Sequence, residues 1–256
     1  MIISHNHYDH LDLDTIKAVY LRQKGAIHFF CGLGNKQWFL SLGIGIKDED
    51  VTELDWWDGV RMEVEGVGSI CLTCTPSQHF SARTLLDRNK TLWCSWVIEE
   101  EEEEGTSATA NSIKVQAQSA PPRKLYFAGD TGYRHVSMRN PTPEEEASFP
   151  ACPAFADIGN VFGPFDLALL PIGLCTPRDF MSSIHCTPED SIFVHKDLKS
   201  KKSIGMHYGT VRGGISAYYE DVRDPPERWK AAAEKAGLKW GEEIGLVDVG
   251  ETILVG

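Results

Sequence analysis

The feature that most constrains this chain is a cluster of histidines at its beginning. Residues 4–12 read Ser-His-Asn-His-Tyr-Asp-His-Leu-Asp, so His5, His7, Asp9 and His10 fall within six residues. The apolar run Met1-Ile2-Ile3 comes directly before the cluster and is typical of the end of a buried strand. The chain is therefore expected to fold so that a loop at the end of a strand displays several imidazoles and a carboxylate.

Imidazole nitrogens and carboxylate oxygens are common ligands of divalent metal ions. Histidines at alternate positions, followed by an adjacent Asp-His pair, can supply ligands to two neighbouring ions. The alternatives are a histidine-rich surface loop and an expression tag. A tag is disfavoured because Tyr8 and Asp9 interrupt the histidines, Leu11 follows them, and a capped helix comes next. The spacing favours a metal site.

The composition is that of a globular protein and disfavours a nucleic-acid partner. A chain of 256 residues is long enough for one large domain or two modest ones. The formal net charge is -12, and part of it comes from the run Glu99 to Glu104. No cluster of lysine and arginine forms a stripe that could follow a phosphate backbone.

The cysteine pattern indicates an intracellular protein. Seven cysteines are scattered along the chain, as expected of reduced thiols. Cys71 and Cys74 form a CxxC motif, but they lie in a strand pattern without a second pair, so zinc or redox use is disfavoured. There is no signal peptide and no apolar run long enough to span a bilayer. We expect a cytoplasmic protein, or one that associates with membranes from the aqueous side.

Short strands and helices are predicted along the whole chain. Asp12 or Asp14 can cap a helix that runs to about Gln23. Strands are predicted at 28–31, 51–56, 62–65, 70–72, 92–98, 124–128, 166–171, 203–207, 245–249 and 252–255, and further helices at 36–42, 144–147, 187–195 and 226–236. The strands between 51 and 74 suggest an antiparallel region. Residues 99–122 are acidic and then rich in Ser, Ala, Gln and Pro, which predicts a flexible, solvated insertion in a hairpin.

Three further candidate ligands follow predicted strands: His79, Asp130 and His207. Gly129 and Gly132 flank Asp130, so the backbone can turn tightly while the carboxylate points above the sheet. A simple turn with a capping aspartate is the alternative for this position. With the opening cluster, the three residues describe a site that loops assemble at one rim of a sheet sandwich.

In these residues the chain resembles the metallo-β-lactamase superfamily, whose pattern is HxHxDH followed by a distant His, a distant Asp and a final His. The resemblance implies an α/β fold, a four-layer αβ/βα sandwich in a single domain over residues 1–256, apparently without the first strands of its amino-terminal half. It also implies two metal ions. The first is bound by His5, His7 and His79, the second by Asp9, His10 and His207, and Asp130 bridges both.

Longer motifs are similar to the family of N-acylphosphatidylethanolamine-hydrolysing phospholipases D. They lie at 3–12, 75–80, 92–96, 127–133 and 206–210. The similarity implies two Zn²⁺ ions, a phospholipid substrate and attack of a metal-bound hydroxide on phosphorus, with N-acylethanolamine and phosphatidic acid as products. His185, in a His-x-x-Pro-Glu-Asp motif, matches a further active-site histidine of that family. It is expected to donate a hydrogen bond to the phosphate or to carry a proton, and an exposed position at a helix start is its alternative.

Several alternatives stay open at this stage. The chain can be an inactive, metal-binding remnant or interaction module, or a hydrolase of soluble lactones, thioesters or phosphodiesters. The expected missing strands can come from a second copy in a homodimer, and peripheral membrane contact is a further expectation. Arg178, Phe180 and Met181 either line a substrate entrance or are plain packing. His28, His135 and His195 lie off the pattern and are assigned to structure or surface.

Overall fold

A computed structural model describes residues 1–101, 121–210 and 218–255. The α-helices are α1 Leu13–Arg22, α2 Lys36–Leu40, α3 Pro143–Ala147, α4 Ala154–Val161, α5 Arg178–Met181, α6 Pro188–Asp197 and α7 Asp224–Lys235, with a 3₁₀ helix at Asp48–Asp50. The strands are β1 Phe29–Gly32, β2 Val51–Leu54, β3 Gly59–Val64, β4 Gly68–Thr75, β5 Ser95–Glu100, β6 Lys124–Phe127, β7 Leu167–Pro171, β8 Ser203–Met206 and β9 Ile244–Gly245.

Within the described residues, these strands form two sheets. One sheet holds β1 and β2, which are parallel, with Phe29 opposite Val51. The other has seven strands in the order β3-β4-β5-β6-β7-β8-β9. Its strands are antiparallel from β3 to β6 and parallel from β6 to β9.

Three apolar clusters separate four layers. The first lies between α1 and α2 on one side and β1 on the other, and it includes Ile16, Phe29 and Phe39. The second lies between the two sheets and includes Phe30, Leu54, Leu72 and Trp96. The third packs the far face of the large sheet against α4, α6 and α7.

The alternation of side chains along β5 shows how one strand serves two layers. Trp96 belongs to the cluster between the sheets, and the next residue, Val97, belongs to the cluster under the helices. Successive side chains of a strand point to opposite faces, so a strand that is buried on both faces is apolar throughout. The layer order is helix, sheet, sheet, helix, and it confirms the predicted α/β sandwich.

Local sequence signals explain where several helices begin. The Asp12 carboxylate accepts a hydrogen bond from the backbone N–H of Thr15 at 2.7 Å and caps α1. Thr187 and Asp190 form a reciprocal capping box at the start of α6, and Pro188 occupies its first turn. Both predicted helix starts are confirmed.

The structure corrects the predicted antiparallel region. β3 and β4 are antiparallel, but β2 pairs parallel with β1 in the other sheet. The chain leaves β1, forms α2 on the outer face and returns as β2. A connection of this length with a helix is what parallel strands require, whereas a two-residue hairpin serves antiparallel ones.

Other element predictions are also corrected. Helix α4 was not predicted, because Pro153 at its start offers no side-chain cap and the flanking prolines suggest irregular structure. The segment before His185, expected to be a loop, contains the short helix α5. At the carboxyl end only Ile244–Gly245 is a strand, because only these residues pair with β8, and residues 252–255 form none.

The predicted hairpin around the acidic insertion is present. β5 and β6 are antiparallel, and Glu99 lies opposite Lys124. Residues 102–120 of the insertion expected at 99–122 lie outside the described residues. In the described parts of the chain, every helix is too short or too polar to cross a bilayer.

Candidate metal centre

The strand order brings the candidate ligands to one edge of the large sheet. β4 and β6 are each antiparallel to β5 and so run in the same direction, and β8 runs parallel to β6 through β7. The carboxyl ends of β4, β6 and β8 therefore lie at the same edge. The residues that follow these ends include His79, Asp130 and His207.

The amino-terminal loop is tied to the same edge by backbone contacts. The N–H of Ile3 donates to the carbonyl of Phe30 at 2.9 Å, and the N–H of Cys94 donates to the carbonyl of Ser4 at 2.8 Å. The indole N–H of Trp96 donates to the carbonyl of Ile3 at 3.1 Å. Residues 3 and 4 are thus bonded both to β1 and to the large sheet, and the histidines follow them directly.

Gly129 permits the close approach of two site loops. Its φ angle is +61°, and a Cβ at this position would lie 2.5 Å from the Cβ of Ser4. A side chain would push apart the residues that precede His5 and Asp130. The glycine is therefore required by contact as well as by backbone conformation.

His5, His7 and His79 form the first donor group. The distance from His5 Nε2 to His7 Nδ1 is 3.0 Å, and the distance from His79 Nε2 to His7 Nδ1 is 3.3 Å. Ligand nitrogens bound at 2.0–2.1 Å to a tetrahedral ion are separated by about 3.3 Å, so the three imidazoles fit a shared zinc-type ion.

The other ring nitrogens of His5 and His79 have protein partners. His79 Nδ1 donates to the carbonyl of Ile184 at 2.9 Å, and His5 Nδ1 lies 2.9 Å from the hydroxyl oxygen of Ser4. Such partners fix the orientation and tautomer of a metal-binding imidazole. They leave Nε2 of both rings directed at the centre.

Asp9, His10 and His207 form the second donor group, and their ligand atoms lie within 4.8 Å of one another. His10 Nε2 lies 3.4 Å from Asp9 Oδ2. This group combines two imidazoles with a carboxylate that is more than half exposed. It faces solvent more than the first group does.

Asp130 lies between the two groups. Its Oδ2 is 3.1 Å from His10 Nε2 and 3.8 Å from His5 Nε2. It is also 3.9 Å from His79 Nε2, while Oδ1 lies 3.1 Å from His207 Nε2. The Asp130 side chain is buried. A buried carboxylate that faces four imidazoles has the position of a shared ligand.

The pKa values of the first donor group favour neutral imidazoles. Burial lowers the pKa of His5 well below its ordinary value, and burial lowers the pKa of His79 to about 4. Burial also lowers the pKa of His7. A neutral imidazole keeps the lone pair with which it binds a metal ion.

The second group and Asp130 are coupled by charge. Burial alone would lower the pKa of His10, but hydrogen bonds with Asp130 and Asp9 raise it to about 10. Burial opposes ionisation of Asp130, yet His207 and His10 hold its pKa well below the usual range. The centre therefore contains a buried anion that is suited to a cation between the donors.

His185 belongs to the same centre. It is buried, and its ring stacks on that of His207 with centroids 5.2 Å apart. Its Nδ1 has no hydrogen-bond partner among the described residues, and burial lowers its pKa to about 3. The backbone N–H of His185 donates to the carbonyl of Met181 at 2.8 Å. The alternative of an exposed histidine at the helix start is therefore wrong.

Arg178 does not line an entrance. Its side chain is buried and donates to Glu146 and, at 2.8 Å, to Asp190. Its Nη1 also donates to the carbonyl of His185 at 3.4 Å. Phe180, two residues away, is 72% exposed. The arginine thus supports the loop that presents His185.

Arg83 belongs to no sequence motif, and the structure places it beside the histidine cluster. Its Nη1 donates to the carbonyls of Asn6 and Leu11, at 2.9 Å each. Its guanidinium lies 4.1 Å from the ring centroid of Tyr8. The residue closes the loop that carries the first three histidines. A single arginine without a motif reveals nothing of this kind before the fold is known.

A cavity of about 170 Å³ opens beside the second donor group. Asp9, His10 and His207 form one side of it, and Leu174 and Val222 contribute apolar surface. A substrate that enters here would meet the ligand atoms at the exposed side of the centre.

The three remaining histidines have the structural or surface positions expected of them. His28 Nε2 lies 2.8 Å from the hydroxyl oxygen of Thr52. His195 is buried with its Nδ1 2.8 Å from the hydroxyl oxygen of Ser203. His135 is exposed. None of the three belongs to a donor group in the described residues.

Comparison with known proteins identifies relatives of the chain. It is 35% identical over 251 residues to N-acyl-phosphatidylethanolamine-hydrolyzing phospholipase D 1 of Caenorhabditis elegans, an alignment that covers 98% of this chain and 59% of the relative. It is 31% identical over 241 residues to the mitochondrial N-acyl-phosphatidylethanolamine-hydrolyzing phospholipase D of Saccharomyces cerevisiae, over 93% of this chain and 41% of the relative. The chain thus spans about two-fifths to three-fifths of the length of these relatives.

Solved structures support the fold assignment. The isothiocyanate hydrolase from Delia radicum gut bacteria aligns with a TM-score of 0.56 at 16% identity, over 99% of this chain and 75% of that chain. Igni18, a metallo hydrolase from Ignicoccus hospitalis, aligns with a TM-score of 0.53 at 19% identity, over 98% and 77% of the two chains. At these identities the likeness concerns the fold alone.

A family model gives the assignment directly. The model described as the beta-lactamase superfamily domain matches residues 1–208, most of the chain. Its range ends one residue after His207 and so contains every residue of both donor groups. The four layers and the strand order agree with this match. We conclude that the chain belongs to the metallo-β-lactamase superfamily.

Proposed function

We propose that this chain is a zinc-dependent phosphodiesterase that hydrolyses N-acylphosphatidylethanolamine to N-acylethanolamine and phosphatidic acid. The position of the Asp130 carboxylate between two donor groups is the observation that carries the proposal. The 35% identity over 98% of the chain to a relative named for this reaction supports the choice of substrate.

In this proposal, the two donor groups hold two Zn²⁺ ions. His5, His7 and His79 bind one, Asp9, His10 and His207 bind the other, and Asp130 binds both. An imidazole-rich donor set suits zinc, although carboxylates and imidazoles also bind other divalent metals. When bound, such a pair of ions supplies an activated water at neutral pH and offsets negative charge on the phosphate.

The other side chains orient the substrate and handle protons. His185 is neutral and buried beside His207, and its imidazole can donate a hydrogen bond to a phosphate oxygen or carry a proton to the leaving oxygen. Asp9 and Asp130 supply the negative charge that holds the cations in place. Arg83 and Arg178 position the loops that carry these groups.

The proposed substrate places the protein at a membrane surface. N-acylphosphatidylethanolamine resides in bilayers, so the chain is proposed to contact membranes from the aqueous side. The open cavity next to His207 is the proposed position of the phosphodiester.

The test is a metal and substrate assay on the full chain. Zinc is counted by inductively coupled plasma mass spectrometry. Release of N-acylethanolamine from N-acylphosphatidylethanolamine in detergent micelles is measured beside hydrolysis of bis(p-nitrophenyl) phosphate, a lactone and a thioester. Asp130→Asn is the test variant, and His135→Ala is the matched control because His135 is exposed and outside the centre.

Two zinc ions per chain, with lipid turnover that Asp130→Asn abolishes and His135→Ala retains, support the proposal. Turnover of only the soluble esters would replace the proposed lipid substrate by a soluble ester. Zinc without any turnover would indicate an inactive remnant. A chain that binds no zinc would overturn the proposal entirely.

A further inference from the structure

Residues 81–90 form a loop, here called the Leu85 loop, that exposes two adjacent leucines. Leu85 is 100% exposed and Leu86 is 85% exposed. Neither packs in the three apolar clusters of the described residues. Single exposed leucines are common, but two adjacent leucines at the tip of one loop form a small apolar surface whose hydration is unfavourable.

The polar groups of the loop bond to one another and hold the leucines outward. The Asp87 carboxylate accepts hydrogen bonds from the backbone N–H groups of Arg83 and Thr84. The N–H of Asn89 donates to the carbonyl of Ser81 at 2.8 Å and closes the base of the loop. Exposure of the leucines is therefore a property of a defined turn.

The Leu85 loop is joined directly to the metal centre. Arg83 donates to two carbonyls of the loop that carries His5, His7 and His10. Arg88 lies 4.6 Å from the ring centroid of Phe80, and Phe80 lies 4.5 Å from the ring of His7. A surface that binds the leucines would therefore lie next to the centre.

The charge of the loop differs from that of the whole chain. Residues 83–90 contain Arg83, Arg88 and Lys90 against the single acid Asp87, whereas the chain carries a formal net charge of -12. Arg88 and Lys90 are exposed and follow the two leucines closely in the sequence. Exposed leucines with exposed basic residues close by in the same loop match an anionic phospholipid surface. The acyl chains would contact the leucines, and the phosphates would contact the basic side chains.

We propose that Leu85 and Leu86 insert into the surface of a phospholipid membrane while Arg88 and Lys90 contact its anionic headgroups. The inference rests on the proposed function, because a membrane substrate gives the loop its binding surface and places the metal centre at the lipid phosphates. A protein partner or a second copy of this chain is the competing occupant.

The experiment measures co-sedimentation of the full chain with vesicles that contain no N-acylphosphatidylethanolamine. Vesicles of phosphatidylcholine mixed with phosphatidylglycerol are compared with vesicles of phosphatidylcholine alone. The apolar variant is L85S/L86S, with Val67→Ser as its control, since Val67 is 82% exposed outside the loop. The charge variant is R88Q/K90Q, with K230Q/K235Q as a control that removes the same charge from exposed positions on α7.

We expect L85S/L86S to weaken binding to the anionic vesicles about 10-fold or more, because each buried leucine contributes at least that factor in full transfer. R88Q/K90Q is expected to weaken it about 10-fold at low salt and less at high salt. Both controls bind as the unmodified chain does. Unchanged thermal unfolding of L85S/L86S shows that the fold is intact.

Vesicle binding by L85S/L86S equal to that of the unmodified chain would overturn the inference, as would no binding by the unmodified chain. A dimer that L85S/L86S dissociates, with vesicle binding unchanged, would assign the leucines to a second copy and also overturn it. The assay separates this inference from the proposed function. Binding through the loop without lipid hydrolysis refutes only the function, and hydrolysis in micelles with loop-independent vesicle binding refutes only the inference.

Discussion

Replacing Arg178 by methionine is expected to destabilise the protein and disturb His185. The Arg178 side chain is 7% exposed and pairs with Asp190, whose side chain is 3% exposed. It also pairs with Glu146 and with the carbonyl of His185. Methionine keeps much of the aliphatic stem and removes every donor. The Asp190 carboxylate then keeps Arg134 Nε, at 3.4 Å, as its nearby cation.

The size of the effect follows from burial. Removal of one partner of a buried ion pair costs about 3–5 kcal/mol because the other charge stays buried. For a domain of this size each kcal/mol lowers Tm by about 2–4 °C, so Arg178→Met should lower Tm by about 10 °C. Arg61→Met is the control. Arg61 is 56% exposed and pairs with surface glutamates, so its replacement should leave Tm nearly unchanged.

The stability lost in Arg178→Met should depend on pH in a defined direction. Burial raises the pKa of Asp190, and Arg178 opposes this rise. Without Arg178 the folded-state pKa of Asp190 rises further above its unfolded value. Stability then falls as pH rises above the unfolded pKa and is recovered as Asp190 takes up a proton at lower pH. The difference in Tm between the variant and the unmodified chain should therefore be smaller at pH 5 than at pH 8.

Thermal unfolding by circular dichroism measures all of these quantities. The double variant R178M/D190N should lose less stability than the sum of its single variants, with a coupling of about 1–3 kcal/mol. A Tm of Arg178→Met within about 2 °C of that of the unmodified chain, or single losses that simply add, would contradict a stabilising buried pair between Arg178 and Asp190.

The remaining predictions concern the metal centre. Asp130→Asn should lower zinc affinity more than about 100-fold, because Asp130 is a proposed ligand and loss of a residue that only supports a ligand costs about 10–100-fold. Full zinc content after dialysis would contradict the bridging role. Gly129→Ala should lose about 1–3 kcal/mol of stability and retain less zinc, because the new Cβ meets Ser4, and an unchanged Tm and zinc content would argue against that contact. His185→Ala should lower kcat about 100-fold with zinc content unchanged, and an equal kcat would remove it from the reaction. Chelation of bound zinc should lower Tm. Zinc at about 1,000 times its Kd stabilises the folded chain by about 4 kcal/mol, and chelation removes this stabilisation. A Tm unaffected by chelator would mean that the folded chain holds no zinc.

Much of the candidate site was predictable because its first half is local. Four of the seven proposed ligands lie between His5 and His10, so their proximity needs only a loop after a strand. The starts of α1 and α6 were also local, since Asp12 and Thr187 bond to N–H groups three residues ahead. Signals of this kind act within one helical turn and can be read directly.

Predictions that depended on contacts between residues distant in sequence failed more often. The parallel pairing of β2 with β1, the helix α4 without a side-chain cap and the short β9 were all missed or misjudged. In the sequence, Arg178 cannot be told apart from an arginine at the surface. Its burial becomes clear only when the fold places Glu146 and Asp190 beside it.

The donor types, their spacing and their position at the ends of strands can be read from short segments of the sequence. The meeting of His79, Asp130 and His207 with the opening histidines is a property of the folded chain. Their meeting depends on β4, β6 and β8 running in one direction within a single sheet, and on a glycine that lets residues 4 and 129 touch. Pairing between distant strands is fixed by the packing of whole layers, which no single segment encodes.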